Sequence, residues 1–182
     1  MSHGVNDDLA CSIVLTQDVD TRIGGLMGYA IDRATVEDIP QLIELRMDYL
    51  TADFGPLDEV DASPIEASLP GFFERHLEND LFAYVMRDDS GRIVSVALML
   101  VSEKPANPRF VHGRIGTVFN VYTKPEHRRK GLAREVVCEL VEDARRRDLD
   151  LVELNATADG YPLYRSIGFT DANLHRPMHI KL

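Results

Sequence analysis

Val118 to Ala133 reads V-F-N-V-Y-T-K-P-E-H-R-R-K-G-L-A, which predicts a buried strand, a short basic turn and the start of a helix. β-Branched and aromatic residues from Thr117 to Tyr122 are typical of a strand, and Pro125 ends the extended run. The apolar residues then take helical spacing on one face: Leu132, Val136, Val137, Leu140, Val141 and Ala144. Because a helix N-terminus presents unpaired N–H groups, and cations lie beside it here, this turn is a candidate phosphate site.

A second motif follows, L-V-E-L-N-A-T-A-D-G-Y-P-L-Y-R-S-I-G-F, from Leu151 to Phe169. It predicts a strand, a polar turn and a short helix that contains L-Y-x-x-x-G-F. The first motif, P-x-x-R-x-x-G-x-A, resembles the acyl-CoA pyrophosphate loop of the GNAT superfamily of N-acetyltransferases, with Arg128, Gly131 and Ala133 in its defining positions. The second resembles the other hallmark of that superfamily. No Gly-Lys-Ser/Thr or G-x-G-x-x-G is present, so neither a P-loop nor a dinucleotide fingerprint is indicated.

The resemblance covers residues 28–182 and implies an α+β fold. A mixed, mostly antiparallel sheet flanked by helices is expected, in the order β-α-α-β-β-β-α-β-α-β-β, with two parallel central strands that splay apart. The residues themselves predict these elements. The expected strands cover 28–34, 81–86, 93–101, 117–122, 151–155, Phe169 and 178–182, and the expected helices begin at Thr35, Ser63, Leu132 and Ala158. Pro70 and Gly71 predict a kink or break in the second helix.

The domain organisation follows from where these patterns begin. Residues 1–27 show no sustained period and are expected to form a loosely held extension. Residues 28–182 are expected to form a single acetyltransferase-like domain.

Acetyl-CoA is the co-substrate that the resemblance implies, with no metal. Pantetheine would pair with the main chain of Val121, Tyr122 and Thr123 between the splayed strands. The pyrophosphate would rest on the N–H groups that follow Arg128, those of Arg129, Lys130, Gly131, Leu132 and Ala133. Asn155, where the next strand ends, either contacts the pantetheine amides or serves only the turn.

The implied reaction is direct attack of a primary amine on the thioester in a ternary complex. Tyr164 matches the tyrosine that acts as general acid in this superfamily, and Tyr161 is the second choice. A backbone N–H near Val121 would polarise the thioester carbonyl. Some relatives place a glutamate where this chain has Thr117, so the general base is left open between Glu153, Glu103 and a water chain. The alternative function is an acyl-CoA-sensing domain without transferase activity.

Composition limits the partners. The 182 residues carry a net charge of −10, which argues against nucleic acid and is compatible with an amine acceptor, either a small molecule or a protein. As a hypothesis, Asp53, Glu59 or Asp61 attracts a cationic acceptor. A homodimer is possible, because dimers are common in the superfamily.

Location and metal content follow from local patterns. No apolar run is long enough for a membrane span, and no signal peptide is recognisable. Cys11 and Cys138 lack paired spacing, which favours reduced thiols in a cytoplasmic protein. Pro177 opposes the helix that a His175–His179 metal pair would need.

Overall fold

The computed structural model describes residues 28–171 and residue 180. The predicted extension at 1–27 and all but one residue of the strand predicted at 178–182 therefore lie outside the described residues. The strands are β1 (Tyr29–Arg33), β2 (Leu81–Asp88), β3 (Ile93–Glu103), β4 (Arg114–Thr123) and β5 (Leu151–Leu154). The helices are α1 (Ile39–Phe54), α2 (Glu59–His76), α3 (Leu132–Arg146) and α4 (Tyr161–Ile167), with short 3₁₀ turns at Val36–Asp38 and Pro125–His127.

The five strands form one sheet in the order β1-β2-β3-β4-β5. Neighbouring strands from β1 to β4 pair antiparallel, whereas β4 and β5 pair parallel. This arrangement confirms the predicted α+β class, the mostly antiparallel sheet and the parallel pair. The described residues fall into two compact units that divide between Asn155 and Ala156, so the sheet and α1–α3 belong to one unit and α4 to the other.

The strands β2 and β3 are buried on both faces, because helices of the larger unit pack on each side of the sheet. One side of β2 and β3 joins the apolar faces of α1 and α2 in a continuous core that includes Leu42, Leu45, Phe73, Leu81, Ala83 and Leu98. The intervening residues of β2 lie on the side of α3, where the Arg147 guanidinium lies 3.7 Å from the centroid of the Phe82 ring. The apolar stripe predicted for α3 is buried from Leu132 to Ala144, except for Val141, which is half-buried. The continuous apolar runs of β2 and β3 therefore match burial on both faces, and the helical spacing of α3 matches burial on one face.

The second helix begins earlier than predicted. The Asp58 side chain accepts a hydrogen bond from the Asp61 N–H at 2.9 Å, so α2 begins at Glu59 rather than at the Ser63 capping signal. The helix continues unbroken through Pro64 and Pro70, so the break predicted as one alternative at Pro70 and Gly71 is wrong. Both prolines are exposed, so carbonyls left without a helical partner can be hydrated.

The strand predicted at Phe169 is also wrong. Gly168, with φ of +110°, ends α4, and the Phe169 N–H donates to the Tyr164 carbonyl at 3.0 Å. The chain turns back on the helix at this point, which prevents an extended conformation.

Three further features concern the cysteines, membrane-spanning helices and metal-binding groups. Cys138 is buried in α3, and Cys11, the other cysteine, lies outside the described residues. Within the described part of the chain, no helix has the length and apolar character of a membrane span. The same residues contain no group of His, Cys, Asp and Glu side chains that could hold a metal.

Candidate active site

The central feature of the larger unit is the point where β4 leaves β5. Their parallel pairing ends with Val118 opposite Leu154, and β4 then continues to Thr123 without β5. A β-bulge lies in this stretch, because Leu98 pairs with Phe119 and Val96 with Tyr122, so two residues of β4 face one of β3. A bulge bends its strand and redirects side chains. Among the described residues, β4 therefore has no strand partner on its β5 side beyond Val118, and we call this opening the cleft.

Beyond the bulge, some main-chain carbonyls of β4 already accept hydrogen bonds from side chains of the protein. Ser95 Oγ donates to the Tyr122 carbonyl at 3.1 Å, and Arg128 Nε donates to the Thr123 carbonyl at 2.9 Å. Val121 has no such side-chain donor among the described residues. Of the three residues predicted to pair with pantetheine, only Tyr122 and Thr123 therefore have a carbonyl that accepts a side-chain hydrogen bond among the described residues.

The loop between β4 and α3 presents a row of backbone donors. The N–H groups of Arg129 to Ala133 donate to no other group among the described residues. The first donors of the helix, at Arg134 and Glu135, both bond to the Gly131 carbonyl, at 2.9 and 3.2 Å. Arg129 and Gly131 have φ of +62° and +82°, which curls the loop so that successive N–H groups can converge. The geometry is that of an anion cradle.

Gly131 is required here by its backbone conformation rather than by crowding. A Cβ built on Gly131 would meet no atom within 4 Å. A positive φ is strained for most side chains, and glycine removes that cost. The space in front of the loop is open, as a ligand would require.

Two cations of the loop are held by side-chain contacts. Arg128 bonds to the strand end and its guanidinium lies 5.5 Å from the centroid of the Tyr122 ring. Lys130 Nζ donates to the Tyr29 hydroxyl at 2.7 Å, and this hydroxyl also hydrogen-bonds with His127 Nδ1 at 2.8 Å. Sequence reasoning missed Tyr29, because no local pattern relates it to a loop about 100 residues away.

A recess of about 730 Å³ lies beside these contacts. It is lined by Gly28, Tyr29, Asp88, Asp89, Ser90, His127 and Lys130. The recess therefore borders the cation side of the loop, and Lys130 contributes to it as well as to the cradle.

The two carboxylates considered as general base occupy different positions. Thr117 Oγ1 donates to Glu153 Oε1 at 3.4 Å, next to the last parallel pair of β4 and β5. Glu103 lies opposite Arg114 at the beginning of β4, which is the far end from the opening. Its side chain is 82% exposed. The geometry thus separates Glu153, at the cleft, from Glu103. Asn155 follows β5 directly and is exposed.

Tyr164 lies on α4, in the smaller unit. Its ring packs edge-to-face against Phe169 with centroids 5.9 Å apart, and it is half-buried. Tyr161 is more exposed and donates to the Asp171 carboxylate at 3.1 Å. A tyrosine that donates to a carboxylate is less suited to giving up that proton, so Tyr161 is the weaker of the two candidates.

With the cleft, the loop and the second motif described, comparison with known proteins identifies the fold family. Residues 39–169 match the acetyltransferase (GNAT) family. The chain belongs to this family. No curated protein matches the sequence significantly.

Solved structures show the same fold. A protein from Clostridium acetobutylicum, described as a predicted acetyltransferase and solved with acetyl-CoA, is 26% identical with a TM-score of 0.72, over 83% of this chain and 96% of that one. A GCN5-related N-acetyltransferase from Ralstonia eutropha JMP134 is 20% identical with a TM-score of 0.67, over 83% and 99%. A ribosomal-protein-alanine N-acetyltransferase from Brucella melitensis is 22% identical with a TM-score of 0.62, over 84% and 99%.

Proposed function

We propose that this protein is an N-acetyltransferase that moves an acetyl group from acetyl-CoA to a primary amine by direct attack in a ternary complex. The observation that carries the proposal is the row of N–H groups from Arg129 to Ala133, without partners among the described residues, beside the stretch of β4 that has left β5. A pyrophosphate and an extended pantetheine arm match these two features. Family membership supports acetyl transfer as the reaction class.

Binding is divided among three regions. The cradle takes the pyrophosphate on the N–H groups of Arg129, Lys130, Gly131, Leu132 and Ala133, and the Arg128 and Lys130 cations add attraction. The β4 stretch of Val121, Tyr122 and Thr123 pairs with the pantetheine amides, chiefly through Val121. Asn155 adds a side-chain contact from the end of β5. No metal is required for this chemistry.

The reaction forms a C–N bond and breaks a C–S bond, so two proton movements must be accounted for. A lysine-like amine is neutral in only about one molecule in a thousand at pH 7, a cost of roughly 4 kcal/mol. Glu153 is the carboxylate we assign to accepting the proton of the amine, directly or through water. Tyr164 gives a proton to the leaving thiolate, and the N–H near Val121 stabilises the developing oxyanion.

The acceptor is a small-molecule or protein amine. Asp53, Glu59 and Asp61 remain a hypothesis for attracting its cationic form. The structure places Glu59 and Asp61 in the first turn of α2, where carboxylates also stabilise a helix N-terminus. A homodimer and a cytoplasmic location remain expectations from the sequence.

Thermal unfolding with and without acetyl-CoA tests the proposal. A ligand at a hundred times its Kd adds about 2.7 kcal/mol, which should raise the Tm by roughly 5 to 10 °C. Gly131→Glu places a negative side chain at the cradle and should abolish the rise. Gly91→Glu is the matched control, because Gly91 also has a positive φ of +81° and open space where a Cβ would lie, so backbone strain is common to both variants.

Transfer is then measured by acceptor-dependent thiol release. Tyr164→Phe should lower kcat about a hundredfold or more, whereas Tyr161→Phe should have little effect. A Tm rise without thiol release from any amine, and unchanged behaviour of Tyr164→Phe, would instead support the acyl-CoA-sensing alternative. No Tm rise at millimolar acetyl-CoA would contradict both.

A further inference from the structure

Arg46 on α1 is a half-buried cation held against the open stretch of β4. Its Nη1 donates to Asn120 Oδ1 at 3.1 Å, and its guanidinium lies 5.5 Å from the centroid of the Tyr49 ring. Within residues 28–171, no carboxylate lies within ion-pair distance of Arg46. Asp53 is close enough to interact with this charge, but its carboxylate instead accepts the Tyr49 hydroxyl at 3.3 Å.

Among the described, partly buried arginines of the larger unit, Arg46 shares this lack of a carboxylate partner with Arg33, whose guanidinium lies 5.0 Å from the centroid of the Phe82 ring, but not with Arg87 or Arg147. Arg87 pairs with Asp38 at 2.8 Å, and Arg147 pairs with Asp143 at 2.5 Å. Taking a cation out of water is costly unless an anion compensates it. Burial lowers the pKa of the Arg46 guanidinium despite the opposing effects of Tyr49 and Asp53. The protein therefore keeps a desolvated positive charge whose anionic partner is missing from the described residues.

The contact with Asn120 is held by an unusual piece of backbone. Asn120 is 2% exposed and has φ of +52°, a left-handed conformation that asparagine tolerates better than most residues. It lies in the β-bulge, after β4 has left β5. The bulge turns this side chain onto α1, so Arg46 is fixed at the cleft rather than at a distant surface.

Asn120 uses only half of its amide in this contact. A guanidinium can only donate, so the amide oxygen must face Arg46. The amide nitrogen, Nδ2, is buried and has no hydrogen-bond partner. An unpaired buried donor is unfavourable for stability. The buried amide thus fixes one nitrogen of the Arg46 guanidinium, whose other N–H donors can bind an oxyanion.

We propose that Arg46, positioned by Asn120, binds an oxyanion of the acceptor, so that the acceptor is an amine that also carries a carboxylate or a phosphate. The inference rests on the proposed function, because it assigns the acceptor class for the same cleft. A guanidinium binds either oxyanion through two parallel hydrogen bonds. The amine of such an acceptor reaches the thioester while its anionic group occupies the Arg46 subsite.

Matched acceptor pairs test the inference. The kcat/KM values are measured by thiol release for β-alanine against β-alaninamide, L-leucine against L-leucinamide, and O-phosphoethanolamine against ethanolamine. We expect the wild type to prefer the anionic member of at least one pair, and the carboxylate and phosphate pairs show which oxyanion it takes. In Arg46→Met that preference should fall by about 10- to 100-fold, and Arg46→Lys should retain part of it. The preference is the ratio of kcat/KM for the anionic acceptor to that for the neutral acceptor. Comparing this ratio between the wild type and a variant removes differences in the intrinsic reactivity of the amines.

Controls separate this inference from the proposed function and from a purely structural Arg46. The acetyl-CoA-dependent rise in Tm should persist in Arg46→Met, which shows that the variant is folded and binds the co-substrate. Arg109→Met, at an exposed arginine, should leave the preference unchanged.

Three results would overturn the inference. These are an anion preference that survives in Arg46→Met, an equal loss for neutral and anionic acceptors, and acetyl-CoA binding without turnover of any anionic amine. An absent acetyl-CoA response in the wild type would overturn the proposed function itself.

Discussion

At the scale of single residues, one hydroxyl links β1 to the anion cradle. The Tyr29 hydroxyl accepts from Lys130 Nζ at 2.7 Å, so its own proton is available for His127 Nδ1 at 2.8 Å. The Lys130 ammonium also lies 5.2 Å from the centroid of the Tyr29 ring. These contacts restrict a lysine side chain that would otherwise lose much rotamer entropy on binding a phosphate.

Tyr29→Phe removes the hydroxyl and keeps the ring. We expect the KM for acetyl-CoA to rise by about 2- to 10-fold with little change in kcat, because one hydrogen bond that positions Lys130 is lost. Initial rates at saturating acceptor measure both values.

A double-mutant cycle checks that Tyr29 acts through Lys130. Adding Tyr29→Phe to Lys130→Met should cost little more than Lys130→Met alone. Fully additive effects would show that Tyr29 does not act through the lysine.

At the scale of elements, a buried ion pair holds the start of α1 to β2. Asp38 Oδ2 accepts from Arg87 Nη2 at 2.8 Å and from the Thr35 N–H at 2.9 Å. Burial alone would raise the pKa of Asp38, but these hydrogen bonds and the Arg87 charge outweigh it, and the pKa lies below the ordinary 3.8. The carboxylate therefore stabilises the folded state in its charged form.

Arg87→Met leaves Asp38 buried without its cation and should lower the free energy of unfolding by about 2 to 3 kcal/mol at pH 7. The pKa of Asp38 is lower in the folded state than in the unfolded state. The stabilisation by ionised Asp38 is therefore fully present above the unfolded-state pKa near 3.8, and it is lost as the pH falls through the folded-state pKa. Urea unfolding between pH 7 and pH 3 measures the difference in free energy of unfolding between the wild type and Arg87→Met. This difference should become smaller below about pH 4.

Arg92→Met is the control for this ion pair. Arg92 pairs with Glu44 at 2.9 Å, but both side chains are largely exposed, so the loss should be at most about 1 kcal/mol. Equal losses in the two variants would contradict a special role for burial at Asp38.

At the scale of the whole molecule, the larger unit is packed closely where β3, β4 and the end of α3 meet. A Cβ added at Gly116 would lie 2.6 Å from Met99 Sδ and 3.1 Å from Leu149 Cδ1. Gly116 also faces Val152 in the parallel pair next to the cleft. Glycine is therefore needed here for space.

Gly116→Ala should lower the free energy of unfolding by about 1 to 3 kcal/mol through overpacking. Met99 is fully buried, so Met99→Ala should also destabilise, by about 2 to 5 kcal/mol. In the double variant the added methyl enters the space left by Met99, and the loss should be clearly smaller than the sum. Additive losses in urea unfolding would place the strain elsewhere, for example at Leu149.

Local sequence determined the elements that depend on neighbouring residues. The strand, basic turn and helix from Val118 to Ala133, the β2–β3 hairpin and the end of α4 at Gly168 were predictable, because period and turn chemistry act over a few residues. The start of α2 was not, because Asp58 and Ser63 both give acceptable capping signals. The family and its cradle followed from the same short motifs.

Only the tertiary structure decided which distant residues meet at the site. Tyr29 and His127 are 98 positions apart, and Arg46 and Asn120 are 74 apart, so no local pattern connects them. The bulge that turns Asn120 towards α1 depends on the register between β3 and β4, and Glu153 is separated from Glu103 by the pairing of β5. Strand register is fixed by burial across the whole sheet, and for this reason the cradle could be predicted from the sequence whereas its supporting contacts could not.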